Sequence, residues 1–287
     1  MPATVLFTSL YDEEEENREI AGWIFHRVRR SCAFFFAMNL LQLPHRTEKP
    51  RQHGLTAIAD LGLTVPELRN VLEAYAPLVD IAKFGIGSAY LTPGIDEKIA
   101  IYREHGVISY FGGALFEKFY QQKKVPAYLK YLRAHNIEWI EISNGAIEFP
   151  LEKRVSLIKE ICGEFKVIAE VGCKETDFVM PASQWVAELS TALEAGSSYV
   201  ITEGRDAATA GILRESGEVS DDLLGDILKF IDPKRTIFEA PTSKTQMFFI
   251  NLVGANVNLG NVAPHDLLIL ESQRQSLRYE TFFNKKE

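Results

Sequence analysis

The strongest constraint on this chain is a recurrence. Eight short apolar runs rich in β-branched residues begin at residues 56, 78, 107, 137, 166, 199, 236 and 255, so successive starts lie 22, 29, 30, 29, 33, 37 and 19 residues apart. They read TAIADLG, LVDIAKFG, VISYFGG, IEWIEISNG, KVIAEVG, YVITEG, TIFEAP and ANVNLGN. A near-continuous apolar strand is buried on both faces, and strands separated by helix-length segments are βαβ units of a parallel sheet. Eight such units close a (β/α)8 barrel.

The segments between the runs carry helix signals. Thr64-Val65-Pro66-Glu67 combines a cap, a first-turn proline and the glutamate of a capping box. Leu68, Val71, Leu72 and Tyr75 follow at helical spacing, as do Val155, Ile158 and Ile161, and Trp185, Leu189 and Leu193. Asp221 and Asp222 open a helix bearing Leu224, Ile227 and Phe230, and Lys244 to Val253 leaves room for another. The stretch from Leu115 to His135 is broken at Pro126, which predicts two helices there. The chain therefore reads as one α/β domain, a TIM barrel over 31–287, with a short N-terminal extension over 1–30.

Composition narrows the function classes. A hydrophobic fraction of 46% supplies a core, while a formal net charge of -8 argues against a nucleic-acid partner, which needs a basic surface. The run SCAFFFAMNLL is far shorter than the roughly 20 residues of a membrane span, and an acidic stretch over Asp12 to Glu16 stands where a signal peptide is basic. Neither a membrane partner nor a secretory leader is expected. Cys32, Cys162 and Cys173 form no CxxC pair and read as reduced thiols of a cytoplasmic protein. The 6 histidines show no HxH or HExxH spacing, which speaks against zinc. Gly85-Ile86-Gly87 and Gly112-Gly113 lack the spacing of a dinucleotide fingerprint.

The ends of the runs are chemically distinctive. They carry Asp60, Lys83, Glu141 with Ser143, Glu170 with Lys174, Glu203 with Arg205, Glu239, and the asparagines 256, 258 and 261. In a barrel the carboxyl ends of the strands share one face, where sites are built. One strand-end glutamate is more often a structural salt bridge than a catalyst; a set in one register is harder to explain that way. Gathered carboxylates suit Mg²⁺ with retained waters. Lys83, Lys174 and Arg205 suit a small anionic substrate, with glycine-rich turns to cradle phosphate. A rival account pairs these charges with one another across the mouth.

The motifs resemble the phosphosulfolactate synthase family, which includes plant heat-stress-associated relatives. The stretches LQLPHRTEKPRQHGLTAIADLG, IAKFGIGS, GGALFE, IEISNG, AEVGCK, ITEGR, IFEAP, NVNLGN and LESQRQSLR follow in family order from about Leu40 to Thr281. The resemblance implies a lyase that adds sulfite to phosphoenolpyruvate with Mg²⁺, on a route to coenzyme M. It also implies a homo-oligomer, a trimer by analogy. Lys174 looks like the general acid, protonating the methylene carbon, with Glu170 and Arg205 beside it in catalysis. Lys49 and Arg51 of the KPR motif, Lys83, Ser143 and Asn258 look like substrate-binding residues. Glu141, Glu170, Glu203 and Glu239 look like metal ligands.

The chain departs from the family pattern at particular places. DKG is Asp60-Leu61-Gly62, GWGTS is Gly85-Ile86-Gly87-Ser88-Ala89, and Ala114 replaces a threonine. The EGRESG loop reads Glu203-Gly204-Arg205-Asp206-Ala207-Ala208, and LRGDT reads Leu277-Arg278-Tyr279-Glu280-Thr281. These changes remove hydroxyls and one cation. They keep two alternatives open: a diverged barrel enzyme acting on another phosphorylated small acid, and a non-catalytic stress-associated protein.

Overall fold

A computed structural model describes residues 41–172, 180–203 and 221–283. The chain divides into two units, Met1–Leu43 and Pro44–Glu287. The extension over 1–30, Cys32, Lys174 and Arg205 lie outside the described residues.

Eight parallel strands close in sequence order: β1 (Thr56–Asp60), β2 (Ile81–Phe84), β3 (Ile108–Phe111), β4 (Trp139–Ile142), β5 (Lys166–Val171), β6 (Tyr199–Thr202), β7 (Thr236–Glu239) and β8 (Asn258–Val262). β8 returns to β1 through Thr56 opposite Leu259 and Ile58 opposite Val262. Between them run α1 (Val65–Tyr75), α2 (Ser88–Leu91), α3 (Ile95–Glu104), α4 (Gly113–Gln121), α5 (Val125–Ala134), α6 (Leu151–Ile161), α7 (Ala182–Glu194), α8 (Asp221–Phe230) and α9 (Ser243–Val253), with α10 (Leu267–Arg274) after β8. The TIM barrel is the fold that the spacing predicts.

Local chemistry sets the element boundaries. The Thr64 amide donates to Glu67 Oε2 at 2.8 Å, closing the capping box of α1. The helical stretch before β4 breaks into α4 and α5, with Pro126 in the first turn of the second. Among the described residues no helix is long and apolar enough to cross a membrane.

Period-two alternation sorts the strand residues into two apolar clusters. Ile58, Phe84, Phe111, Ile140, Val167, Val200, Phe238 and Leu259 face outward and pack with helix residues such as Leu68, Phe116, Trp185 and Phe249. Ala57, Ile81, Tyr110, Ile168, Tyr199, Ile201 and Ile237 fill the barrel interior. Both faces are buried, which is why the runs read as almost unbroken apolar sequence.

Candidate active site

Further along the same inward-facing register the interior stops being apolar. Two residues beyond Ile81, Trp139, Ile168, Ile201 and Ile237 come Lys83, Glu141, Glu170, Glu203 and Glu239. Opposite Lys83 on β1 stands Ala59, whose short side chain leaves room. These residues line a cavity of about 960 Å³ at the carboxyl ends of the strands, together with Leu61, Ile86, Ala114, Asn261 and His265.

Lys83 is the hub. Its Nζ lies 3.2 Å from Glu141 Oε2, 3.3 Å from Glu170 Oε2 and 3.4 Å from Glu239 Oε1, and its side chain is 12% exposed. Burial alone would lower its pKa; the three carboxylates outweigh that and hold it well above the ordinary lysine value. The rival account is thus part of the answer: Lys83 pairs with carboxylates across the mouth.

Glu141 is the most heavily engaged carboxylate. It accepts from the Tyr110 hydroxyl at 2.8 Å and from the Gly113 amide. Burial raises its pKa, while Lys83 opposes the rise. Burial and the charge of Glu141 push the Tyr110 phenol well above its usual value, so it stays a donor. The Gly112-Gly113 pair earns its place by space: a Cβ on Gly112 would lie 3.1 Å from Lys83 Cε, and one on Gly113 would lie 2.7 Å from Glu141 Oε1. Glu239 accepts from Asn261 Nδ2 at 2.6 Å.

Several expected site residues stand elsewhere. Lys49 donates to the carbonyls of Ala76 and His105 at 3.0 and 3.3 Å, in the turns that lead into β2 and β3. Arg51 pairs with Asp80, just before β2, at 3.0 Å. Asn258 opens β8, accepts from the Leu55 amide and donates to the carbonyls of Pro233, Lys234 and Thr236. All three hold the amino end of the barrel, opposite the cavity, because they precede or begin strands whose carboxyl ends form the mouth. The structure does not bring these three expected substrate-binding residues to the cavity; what they bond there is mainly backbone.

Ser143 is at the mouth end but turns away from the cavity. It donates to Glu117 of α4, which also receives the amides of Gly145 and Ala146 at 3.0 and 2.8 Å. That network clamps the loop after β4. Asp60 is likewise a clamp, bonded to Lys98 at 2.7 Å and to Tyr102 at 2.9 Å. Tyr110 and Glu117 escaped the sequence reading, since each looks like part of an apolar run or a helix until strand register is known.

Mg²⁺ takes one or two carboxylates and completes its shell with water and substrate oxygens. Glu170, Glu203 and Glu239 offer donors of that kind on the cavity wall. Among the described residues no three His, Cys, Asp or Glu side chains form a ready-made ligand cluster. The donor set suits a sparsely held hard cation rather than a preformed cage.

Fold and cavity together define a (β/α)8-barrel protein whose mouth has the size and charge of a small-molecule site. The chain belongs to the (2R)-phospho-3-sulfolactate synthase (ComA) family, whose model matches residues 44–280. Phosphosulfolactate synthase from Bacillus subtilis is 39% identical over 246 residues, covering 85% of this chain and 98% of that protein. Its namesake from Methanothermobacter thermautotrophicus is 35% identical, covering 83% of this chain and 95% of that protein. Protein HEAT-STRESS-ASSOCIATED 32 from Arabidopsis thaliana is 25% identical, covering 75% of this chain and 83% of that protein.

Proposed function

We propose that this chain is a phosphosulfolactate synthase-like lyase, joining sulfite to phosphoenolpyruvate with Mg²⁺ to give phosphosulfolactate. The observation that carries the reading is the interior ring of carboxylates around Lys83, facing an open cavity in a chain of this family.

The family description places the sulfo group on carbon 3. Sulfite sulfur therefore bonds to the methylene carbon, the double-bond electrons move through carbon 2 onto the carboxylate, and the proton arrives at carbon 2. That corrects the direction taken from the resemblance, in which the methylene carbon received the proton. Lys83 is a poor proton donor, because an ammonium held far above the working pH does not give up its proton readily. It serves as a fixed cation that gathers the carboxylates and faces the anionic substrate. The proton donor role stays with Lys174, in the Glu170-Val171-Gly172-Cys173-Lys174 segment that follows from β5. Glu141, fixed by Tyr110 and Gly113, keeps Lys83 in place. When bound, Mg²⁺ would be held by one or two of Glu170, Glu203 and Glu239 and would stabilise the charge developing on the substrate carboxylate.

Purified protein with phosphoenolpyruvate, sulfite and Mg²⁺ should consume phosphoenolpyruvate at a rate that needs all three. Lys174→Ala should lower turnover by more than about 100-fold, and a drop of only a few-fold would move the proton donor elsewhere. Leu61 and Ala114 in the cavity wall favour a second reading, action on another phosphorylated small acid. A melting-temperature screen of such acids separates the two. A buried charged ring weighs against a purely structural protein, since such charges add little stability.

A further inference from the structure

At the rim of the cavity Ile86 stands between two glycines with φ of 49°. A β-branched residue enters this left-handed region only under strain. Packing does not repay the strain, for Ile86 is 69% exposed and belongs to neither buried apolar cluster. Leu61, 52% exposed, reaches the same rim from the turn after β1: a Cβ placed on Gly85 would meet Leu61 Cδ2 at 2.7 Å. Both side chains line the cavity that holds Lys83 and Glu170. Strained backbone that persists without a packing reward points to a contact made in function, and large apolar groups left at a cavity edge are informative where scattered ones are not.

We infer that Ile86, backed by Leu61, is a specificity-determining residue that covers the carbon face of a small phosphorylated acid while the charged floor takes its anionic groups. For its substrate the inference rests on the reaction proposed above. The test exploits the strain. Asparagine tolerates the left-handed region and glycine is free in it, so I86N and I86G relax the backbone while removing the apolar cover. I86N also controls for the added flexibility of glycine.

Both variants should melt at the wild-type temperature or above it, with KM for phosphoenolpyruvate raised about 10-fold and kcat changed far less. I86V, which keeps the cover, should keep the wild-type KM. An unchanged KM in I86N and I86G overturns the inference, and a lowered Tm shows that Ile86 serves packing instead. A change in oligomeric mass by light scattering with KM unmoved would make the rim a contact between copies, which also overturns it. If wild type shows no sulfite-dependent turnover, the reaction falls. The rim is then judged by the affinities of wild type, I86N and I86G for whichever of phosphoenolpyruvate, phospholactate, 2-phosphoglycerate and 3-phosphoglycerate binds. If none binds wild type, both readings fall.

Discussion

Lys83 compensates more negative charge than any other described side chain at the mouth, touching Glu141, Glu170 and Glu239. Lys83→Met would leave those carboxylates buried around an apolar group, a loss of about 3–5 kcal/mol at neutral pH. Carboxylates deprived of a cation take up protons in the folded state, so their folded pKa values rise and the deficit shrinks as pH falls. Urea unfolding at pH 7.5 and about pH 5 checks both the size and the sign. Lys49 gives a second residue-scale prediction. Burial lowers its pKa from 10.5 to about 8, so the folded chain releases this proton at lower pH than the unfolded chain. Stability owed to Lys49 therefore increases as pH rises through that window. The stability of wild type relative to Lys49→Met should climb by about 1–2 kcal/mol across it, a figure discounted because the side chain is partly exposed. A flat difference would contradict the burial that causes the shift. The two lysines also show what was legible. A charge ending an apolar strand is conspicuous, so Lys83 and the glutamates stand out. Position relative to the strand then decides which end of the barrel a charge serves. Lys49 and Arg51 precede β1, and that order alone places them away from the mouth.

At the scale of elements, two junctions set the site. The start of α4 must bring the Gly113 amide onto Glu141 and let Lys83 pass, which leaves no room for a methyl group at residue 113. Gly113→Ala should displace the Glu141 carboxylate and reduce turnover by at least about 10-fold, with the barrel still folded by circular dichroism. Wild-type turnover in this variant would show that the close approach is incidental. The other junction ties β1 to α3, where Asp60 bonds Lys98 and Tyr102 away from the cavity. Lys98→Met should therefore lower stability by about 3–5 kcal/mol yet leave KM unchanged. A shifted KM would bring Asp60 into the site. Helix existence was readable from caps, the Pro126 break and 3.6-residue spacing. The Tyr110–Glu141 bond was not, because a contact between residues on two strands depends on register that no single run encodes.

Across the whole molecule, one periodicity has two consequences. Strands buried on both faces build the barrel, and the same inward register, carried two residues further, turns the interior from apolar to charged. The fold was legible because it needs only spacing and alternation repeated eight times. The placement of the site was legible because strand ends converge in a closed parallel sheet. The reaction was not legible from the residues alone: gathered carboxylates and cations specify an anion and a hard cation, and the choice of sulfite and phosphoenolpyruvate comes from ordered motifs shared with a family. The most direct measurement is therefore the fate of the atoms. With phosphoenolpyruvate, sulfite and Mg²⁺ in D₂O, proton and phosphorus NMR should show a phosphate ester bearing a sulfonated methylene group and one deuteron on carbon 2. Phosphoenolpyruvate that persists unchanged at high enzyme concentration, or a product with sulfur on carbon 2, would contradict the account.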